Sequence, residues 1–278
     1  MTAWAPARHA AARARVTVVV GESEAGKTSL TTWLAGALAA GGDRVAVVDA
    51  DLGQSEIGPP TTVGLGIVRR PLDRLAEAEC LALEFVGATS AARCLRETAR
   101  ATARLVDRAR ALGFDRILVD TSGLVAGEVG RALKRLKIDA VRPDVLVLVQ
   151  RAGECEQIAR AYDGAGTPVV VRVAALASPV RRTPTVRRLH RERALAAALA
   201  GAADVDVAGE RLIMPSGEIV RATPGLVGTL VALLGEDGEV RGLGWLKRVD
   251  DQGAVTIATA VPAAEAARVV VGRDRYRP

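Results

Sequence analysis

The apolar positions of this chain fall into short β-branched runs that alternate with longer segments rich in Ala and Leu. The run at 16–20, which reads Val-Thr-Val-Val-Val and stops at Gly21, is typical of a strand buried on both faces of a parallel sheet. This alternation predicts the α/β class, with a mostly parallel sheet and helices on both of its faces. We predict strands at 16–20, 44–49, 81–86, 116–120, 145–149 and 169–173, and helices at 28–40, 91–112, 129–136 and 154–162.

The pattern changes at several points, and these changes suggest loops and domain boundaries. Residues 53–62 contain glycines and two adjacent prolines, which predicts a loop. Residues 178–200 begin with Pro and Arg and continue as an Ala-rich helix, whereas the residues after 203 predict short strands and turns. We therefore expect an N-terminal tail at 1–14, an α/β domain at 15–203 that includes an Arg-rich segment at about 178–200, and a small β-rich module at 204–278.

Composition narrows the class of protein. Hydrophobic residues make up 49% of the 278 positions, which is enough for a sizeable core and argues against disorder. The formal charge of +6 suits a polyanionic partner such as a nucleic acid, although a genome that favours Arg and Ala gives the same balance. The three cysteines lack metal-ligand spacing, and we see no signal peptide or membrane span, so we expect a cytoplasmic protein.

Residues 21–28 read Gly-Glu-Ser-Glu-Ala-Gly-Lys-Thr between a predicted strand and a predicted helix, which is the context of a phosphate-binding P-loop. Gly21 and Gly26 permit the backbone turns that aim N–H groups at phosphate oxygens. In such loops the lysine, here Lys27, reaches the β- and γ-phosphates, and the next hydroxyl, here Thr28, binds Mg²⁺. We therefore expect ATP and Mg²⁺ as cofactors. The predicted nucleotide-binding residues are Gly21, Glu22, Ser23, Glu24, Ala25, Gly26, Lys27, Thr28 and Ser29.

The second predicted strand ends in the sequence Asp-Ala-Asp-Leu-Gly-Gln at 49–54. Asp49 and Asp51 are two residues apart, so on an extended strand end they face the same way, at the sheet edge where α/β proteins bind ligands. One carboxylate can hold Mg²⁺ or its water while the other accepts the proton of an attacking hydroxyl. The alternative is that both acids cap a turn. Asp120, which closes another predicted strand, is a further candidate for Mg²⁺.

Arginines are concentrated between residues 181 and 193, with six of them against one glutamate. Arg187 and Arg191 are spaced i, i+4 and Arg188 lies three residues before Arg191, so a helix would present a guanidinium cluster on one face. Guanidinium groups that close over a transferring phosphoryl group stabilise its charge, which suits a mobile lid. The alternative is a solvated helix face in an Arg-rich protein.

Taken in order, these motifs resemble the polynucleotide 5′-hydroxyl kinases related to the RNA kinase of the eukaryotic pre-mRNA cleavage complex, with ribosomal RNA processing kinases and archaeal relatives. The resemblance makes Asp51 the catalytic base and the Thr-Ser-Gly at 121–123 a clasp on the substrate end. Leu124 stands where eukaryotic members have Trp, as in archaeal-type members. The resemblance and the residue patterns together assign catalysis to Lys27, Asp51, Arg187 and Arg191, Mg²⁺ to Thr28, Asp49 and Asp120, and substrate binding to Gln54, Thr121, Ser122, Gly123, Arg182 and Arg188.

The resemblance implies transfer of the ATP γ-phosphate to the 5′-hydroxyl end of RNA or DNA, in single strands or duplexes. The C-terminal module and surface arginines would hold the nucleic-acid backbone. A second hypothesis is a nucleotide-binding assembly factor of RNA processing without kinase turnover. A third is a P-loop protein of the GTPase, partitioning ATPase or dethiobiotin synthetase type. The chain lacks the Asn-Lys-x-Asp guanine motif of GTPases, and a synthetase has no need of an arginine lid.

Overall fold

The computed structural model describes residues 2–175, 183–208, 212–250 and 253–276, which form two β-sheets and the helices around them. The first sheet contains β1 (Val16–Gly21), β2 (Val45–Ala50), β3 (Thr62–Val68), β4 (Glu79–Phe85), β5 (Arg116–Thr121), β6 (Val145–Gln150) and β7 (Val169–Ala174). The helices are α1 (Ala5–Ala11), α2 (Lys27–Ala40), α3 (Leu95–Ala111), α4 (Gly127–Val141), α5 (Glu156–Ala159) and α6 (Pro184–Ala198). Short 3₁₀ turns occur at Thr2–Trp4, Leu75–Glu77, Ala91–Arg93, Pro224–Leu226 and Ala263–Glu265.

The first sheet has the strand order β4-β3-β2-β5-β1-β6-β7. Five neighbouring strands of this order, β2, β5, β1, β6 and β7, pair in parallel, which confirms the predicted α/β class. Both faces of β1 are buried because alternate valines enter different cores: Val16, Val18 and Val20 pack under α3 and α4, and Val19 packs under α1 and α2. Parallel pairing also brings the carboxyl ends of β1, β2 and β5 to one edge of the sheet, where the candidate motifs follow them.

At one edge of this sheet, β3 and β4 form an antiparallel hairpin. The sequence pattern did not predict β3. β3 pairs antiparallel with both β2 and β4. Its sequence contains two glycines, which hide the strand pattern, and the fold requires one of them. A Cβ on Gly64 would lie 2.8 Å from the carbonyl carbon of Ile57, so the loop after β2 can pack on β3 only where the side chain is missing.

The second sheet has six strands in the order β8-β12-β11-β10-β13-β9, and it confirms the predicted C-terminal β-rich region. Its strands are β8 (Ala203–Val207), β9 (Leu212–Ile213), β10 (Thr229–Leu234), β11 (Val240–Val249), β12 (Val255–Thr259) and β13 (Arg268–Arg275). One face joins the first domain through a shared apolar cluster that includes Phe85 of β4, Leu195 of α6 and Leu230 of β10. The Arg273 amide also donates to the Gly87 carbonyl at 2.7 Å. The second sheet therefore packs against α6 through this apolar cluster.

The N-terminal residues, expected to be a tail, instead contribute a helix to the core. Ala7 and Ala11 of α1 are fully buried beside Trp4, whose ring lies 5.8 Å from that of Trp33. The domain boundaries otherwise stay predictions. Across the described ranges, no helix combines the length and the apolar character needed to cross a membrane.

Candidate active site

The predicted phosphate loop connects β1 to α2 at the carboxyl edge of the first sheet. Gly26 caps α2 with φ at 93°, a left-handed conformation that glycine adopts without strain. The Lys27 ammonium is buried and donates to the Glu22 carbonyl at 2.8 Å. Burial lowers the pKa of Lys27, while the carboxylates of Asp120 and Asp51 act in the opposite direction. A buried ammonium and the free N–H groups of a helix start together favour a bound triphosphate.

Thr28 and Asp120 meet beside this loop. The Thr28 hydroxyl donates to Oδ2 of Asp120 at 2.6 Å, whereas the buried Oδ1 accepts no hydrogen bond from the described residues. Burial raises the pKa of Asp120, and Lys27 opposes that shift. A carboxylate oxygen without a donor, next to a hydroxyl, fits Mg²⁺, which takes few protein ligands and completes its shell with water and phosphate oxygens. In the described part of the chain, no group of three or more His, Cys, Asp or Glu is arranged to hold a metal.

Asp49, predicted as a metal ligand, holds the loop that follows β2. Its Oδ2 accepts from the amides of Glu56 at 2.6 Å and Ile57 at 3.0 Å and from the Ser55 hydroxyl at 3.3 Å. Its Oδ1 accepts from the Asp51 amide at 3.1 Å. Burial raises the pKa of this carboxyl, and the two strongest opposing effects are hydrogen bonds from backbone amides. These contacts match the turn-capping role that the sequence left open as the alternative to metal binding.

Asp51 has one carboxylate oxygen held and the other available. Oδ1 accepts the amides of Gly53 and Gln54, both at 3.1 Å, and Oδ2 accepts no hydrogen bond from the described residues. The Gln54 amide group donates to the carbonyl of Arg187 at 3.2 Å, while its buried Oε1 is without a donor in the same part of the chain. The loop at 51–54 therefore orients one acceptor oxygen and connects directly to α6.

The clasp at 121–123 packs against the phosphate loop. A Cβ on Gly123 would lie 2.6 Å from Cα of Ser23 and closer still to the Ser23 amide nitrogen and hydroxyl, so only glycine allows this approach. Thr121 is buried, and its hydroxyl donates to the Val19 carbonyl at 2.7 Å. That hydrogen bond joins β5 to β1, so the Thr121 hydroxyl supports the sheet instead of turning to a substrate.

The arginine helix α6 reaches the phosphate loop. It begins after Thr183, whose hydroxyl accepts from the Val186 amide at 3.3 Å as an N-cap. The Arg187 guanidinium donates to the carboxylate of Glu24 in the phosphate loop at 2.8 Å. Arg191 extends over Gly53, where an added Cβ would lie 3.9 Å from its Cδ. One face of α6 thus covers both the phosphate loop and the loop of Asp51.

The other predicted arginines lie elsewhere. Arg188 is exposed and forms an ion pair of 3.7 Å with Glu192 on the outer face of α6, away from the contacts that Arg187 makes. Arg182 lies outside the described residues. Among the remaining nucleotide-binding candidates, Ala25 is buried and Ser23 and Ser29 are exposed.

Sequence reasoning missed two buried lysines beneath this site. Lys134 and Lys137 of α4 are 0% and 1% exposed, and their ammonium groups donate to carbonyls at the ends of β5 and β2. It also missed Arg151, whose guanidinium donates to the Glu24 carbonyl at 2.8 Å. One signal existed: only four lysines occur in the chain, and a lysine on an otherwise apolar helix face in such an Arg-rich chain is unusual.

Comparison with known proteins gives a consistent family. The family model described as "mRNA cleavage and polyadenylation factor CLP1 P-loop" matches residues 21–199. A protein of Thermococcus kodakarensis named polyribonucleotide 5′-hydroxyl-kinase is 36% identical over 62% of this chain and 47% of its own length. Proteins of the same name from Pyrococcus furiosus and Methanocaldococcus jannaschii are 36% and 35% identical over 52% of this chain, and 41% and 40% of their own lengths. The chain spans about half the length of the curated relatives it matches.

Solved structures support the same fold over a longer stretch. Clp1p in its complex with Pcf11p (454–563) superposes with a TM-score of 0.67 at 13% identity, covering 94% of this chain and 74% of Clp1p. A second Clp1p structure, described with an extended Pcf11p interface, gives a TM-score of 0.70 at 14% identity over the same shares. At this identity the superposition shows the shared fold alone, and it includes the C-terminal sheet.

Proposed function

The chain belongs to the CLP1 P-loop family, and from this premise we propose that it transfers the γ-phosphoryl group of ATP to the 5′-hydroxyl end of a polynucleotide. The relatives named polyribonucleotide 5′-hydroxyl-kinase favour RNA as the acceptor. The observation that carries the proposal is the joint placement of the phosphate loop, the Asp51 carboxylate and two arginines of α6 at one sheet edge. A GTPase or synthetase is set aside, because the family match covers residues 21–199.

In this proposal the phosphate loop holds the triphosphate. The Lys27 ammonium exchanges the Glu22 carbonyl for phosphate oxygens, a favourable exchange because a buried cation gains a full negative charge as its partner. Thr28 and Asp120 would hold Mg²⁺, which supplies charge neutralisation on the phosphates when bound. Asp49 keeps the neighbouring loop in place through its hydrogen bonds to backbone amides.

Asp51 acts as the general base. Its Oδ1 is fixed by two amides, so Oδ2 keeps one direction and can accept the proton of the attacking 5′-hydroxyl. Gln54 places a buried acceptor beside it, and a substrate hydroxyl is the kind of donor that this oxygen lacks. Asp51 and Gln54 belong to one short loop, so the same segment positions both groups.

The arginines of α6 act as a lid. Arg187 already contacts the phosphate loop through Glu24, and Arg191 lies over the loop of Asp51. When the triphosphate enters, these guanidinium groups come within reach of the phosphate oxygens, where they stabilise the charge that develops in transfer. Water is excluded from the phosphates by the same closure.

The test is transfer of label from γ-labelled ATP to matched 5′-hydroxyl RNA and DNA oligonucleotides in the presence of Mg²⁺. We expect label on the 5′ end with the unmodified protein and none with Lys27→Ala. In Asp51→Asn we expect ATP binding to persist while kcat falls by roughly 10²-fold or more, since a general base contributes about 10²- to 10⁴-fold. ATP binding without label on any oligonucleotide would remove the kinase proposal and favour an assembly factor.

A further inference from the structure

Two lysines are buried in the packed layer under the site, where lysine is rarely found. Lys134 and Lys137 lie on α4, three residues apart on one helix face, with 0% and 1% of their surfaces exposed. A buried ammonium costs considerable free energy unless it is hydrogen-bonded and near negative charge. In a chain that uses arginine at nearly every other basic position, two such lysines on one helix call for a specific role.

Lys137 is bonded to the strand end that carries the proposed base. Its ammonium donates to the carbonyl of Ala50 at 2.8 Å, and Ala50 lies between Asp49 and Asp51. Burial lowers the pKa of Lys137 to about 8, while the charges of Asp51 and Asp49 act to raise it. An ammonium that is near negative charge and hydrogen-bonded to a carbonyl is less costly to bury. Lys137 therefore fixes the backbone from which the loop of Asp51 starts.

Lys134 is bonded to the clasp in the same way. Its ammonium donates to the Ser122 carbonyl and lies 3.4 Å from the Ser122 hydroxyl. Ser122 precedes Gly123, which packs on Ser23 of the phosphate loop. The clasp is thus held between α4 on one side and the phosphate loop on the other.

The two contacts connect segments that are distant in sequence. Lys137 of α4 and Ala50 at the end of β2 are 87 residues apart in the sequence. Because both lysines project from one rigid helical turn, the positions of the base loop and the clasp are set relative to each other. A hydrophobic side chain could fill this space, but it could not donate to either carbonyl.

We propose that Lys134 and Lys137 are positioning residues that hold the clasp and the loop of the catalytic base in mutual register on α4. The proposal rests on the proposed kinase function. It assigns different kinetic effects to the two residues: Lys137 acts through the base, and Lys134 acts through the clasp, which the family resemblance assigns to the acceptor end.

The experiment compares Lys134→Met and Lys137→Met with Lys247→Met. Methionine keeps most of the side-chain length without the ammonium, and Lys247 is a matched control because it lies on β11, exposed, in an ion pair with Asp204. We expect Lys137→Met to lower kcat by about 10- to 100-fold, the cost of misplacing a supporting contact, with KM for ATP unchanged. We expect Lys134→Met to raise KM for the oligonucleotide, and Lys247→Met to match the unmodified protein.

Arginine variants separate positioning from stability. Arginine at 137 keeps a donor and a charge but is larger, so Lys137→Arg should melt at a lower temperature than Lys137→Met and yet retain more of kcat. A purely structural role would make activity follow melting temperature. If a methionine variant does not fold, the glutamine variant, which lacks the charge, replaces it in the comparison.

A second readout does not depend on kinase activity. Hydrogen exchange followed by mass spectrometry should show faster exchange at residues 51–57 in Lys137→Met and at 121–125 in Lys134→Met, with no change in Lys247→Met. If the unmodified protein labels no oligonucleotide, the kinase proposal fails while this readout still tests the register. Unchanged exchange together with unchanged kcat and KM would overturn the role of both lysines.

Discussion

The contact between the clasp and the phosphate loop gives the sharpest prediction. A Cβ added at Gly123 would lie 2.6 Å from Cα of Ser23, where ordinary carbon contacts are about 3.5 to 4.0 Å. The clash is with backbone, so no side-chain rotation relieves it. Gly123→Ala must therefore separate the clasp from the phosphate loop by about 1 Å.

A displacement of this size should lower the rate of phosphoryl transfer. Misplacing a reacting group by about 1 Å can cost about 100-fold in rate, which corresponds to about 2.7 kcal/mol in the barrier. We expect kcat of Gly123→Ala to fall by that factor in the label-transfer assay. If the two segments instead stay in contact and the clash strains the folded protein, the free energy of unfolding should be about 1 to 3 kcal/mol lower than in the unmodified protein.

The control is another glycine to alanine change without a clash. At Gly225 the nearest atom to an added Cβ is the Thr223 hydroxyl at 3.7 Å, an ordinary contact, so Gly225→Ala should retain full activity and stability. If Gly123→Ala keeps kcat within about threefold of the unmodified protein and melts at the same temperature, the rigid approach of clasp to phosphate loop is wrong.

Three further predictions concern charges in and under the site. Glu24→Gln removes the carboxylate that pairs with Arg187, so Arg187 is freer to meet phosphate oxygens and ATP should bind more tightly. The expected gain is up to about fivefold, for a partly buried ion pair worth about 1 kcal/mol. Titration calorimetry tests this, and weaker binding contradicts it. Asp120→Asn should raise the Mg²⁺ concentration for half-maximal label transfer by about tenfold or more, and an unchanged requirement would remove Asp120 from the metal site. The pKa of Lys137 is about 8 in the folded protein against 10.5 in the unfolded chain, so between these pH values the unfolded chain binds more protons. The free energy of unfolding of the unmodified protein, relative to that of Lys137→Met, should therefore rise with pH by up to about 3 kcal/mol. Urea unfolding at several pH values should show this rise, and a constant difference would refute it.

Some features could be predicted because they depend on neighbours in sequence. The phosphate loop needs a strand, two glycines and a helix start within a short stretch, and the structure places Gly26 and Lys27 where that pattern requires them. The i, i+4 spacing of Arg187 and Arg191 likewise puts both on one face of a helix. The central strands of the parallel sheet, such as β1, β2 and β6, were evident because burial on both faces demands continuous apolar runs.

Other features could not be predicted because distant residues decide them. The sequence could not tell whether Asp49 binds metal or caps a turn, and only the structure shows that its carboxylate accepts from the amides of Glu56 and Ile57. The family resemblance assigns Thr121 to the substrate end, and only the structure shows that its hydroxyl donates to the carbonyl of Val19 on the neighbouring strand.

Periodicity and loop chemistry by themselves determined the α/β class, the phosphate loop and the positions of the candidate acids and arginines, because those signals are local. Tertiary structure alone decided which of these groups face the site, and it added the two lysines of α4. Their role depends on contacts across the sheet, such as the 87 residues between Lys137 and Ala50, and a hydrogen bond between remote segments leaves no periodic trace in a single sequence.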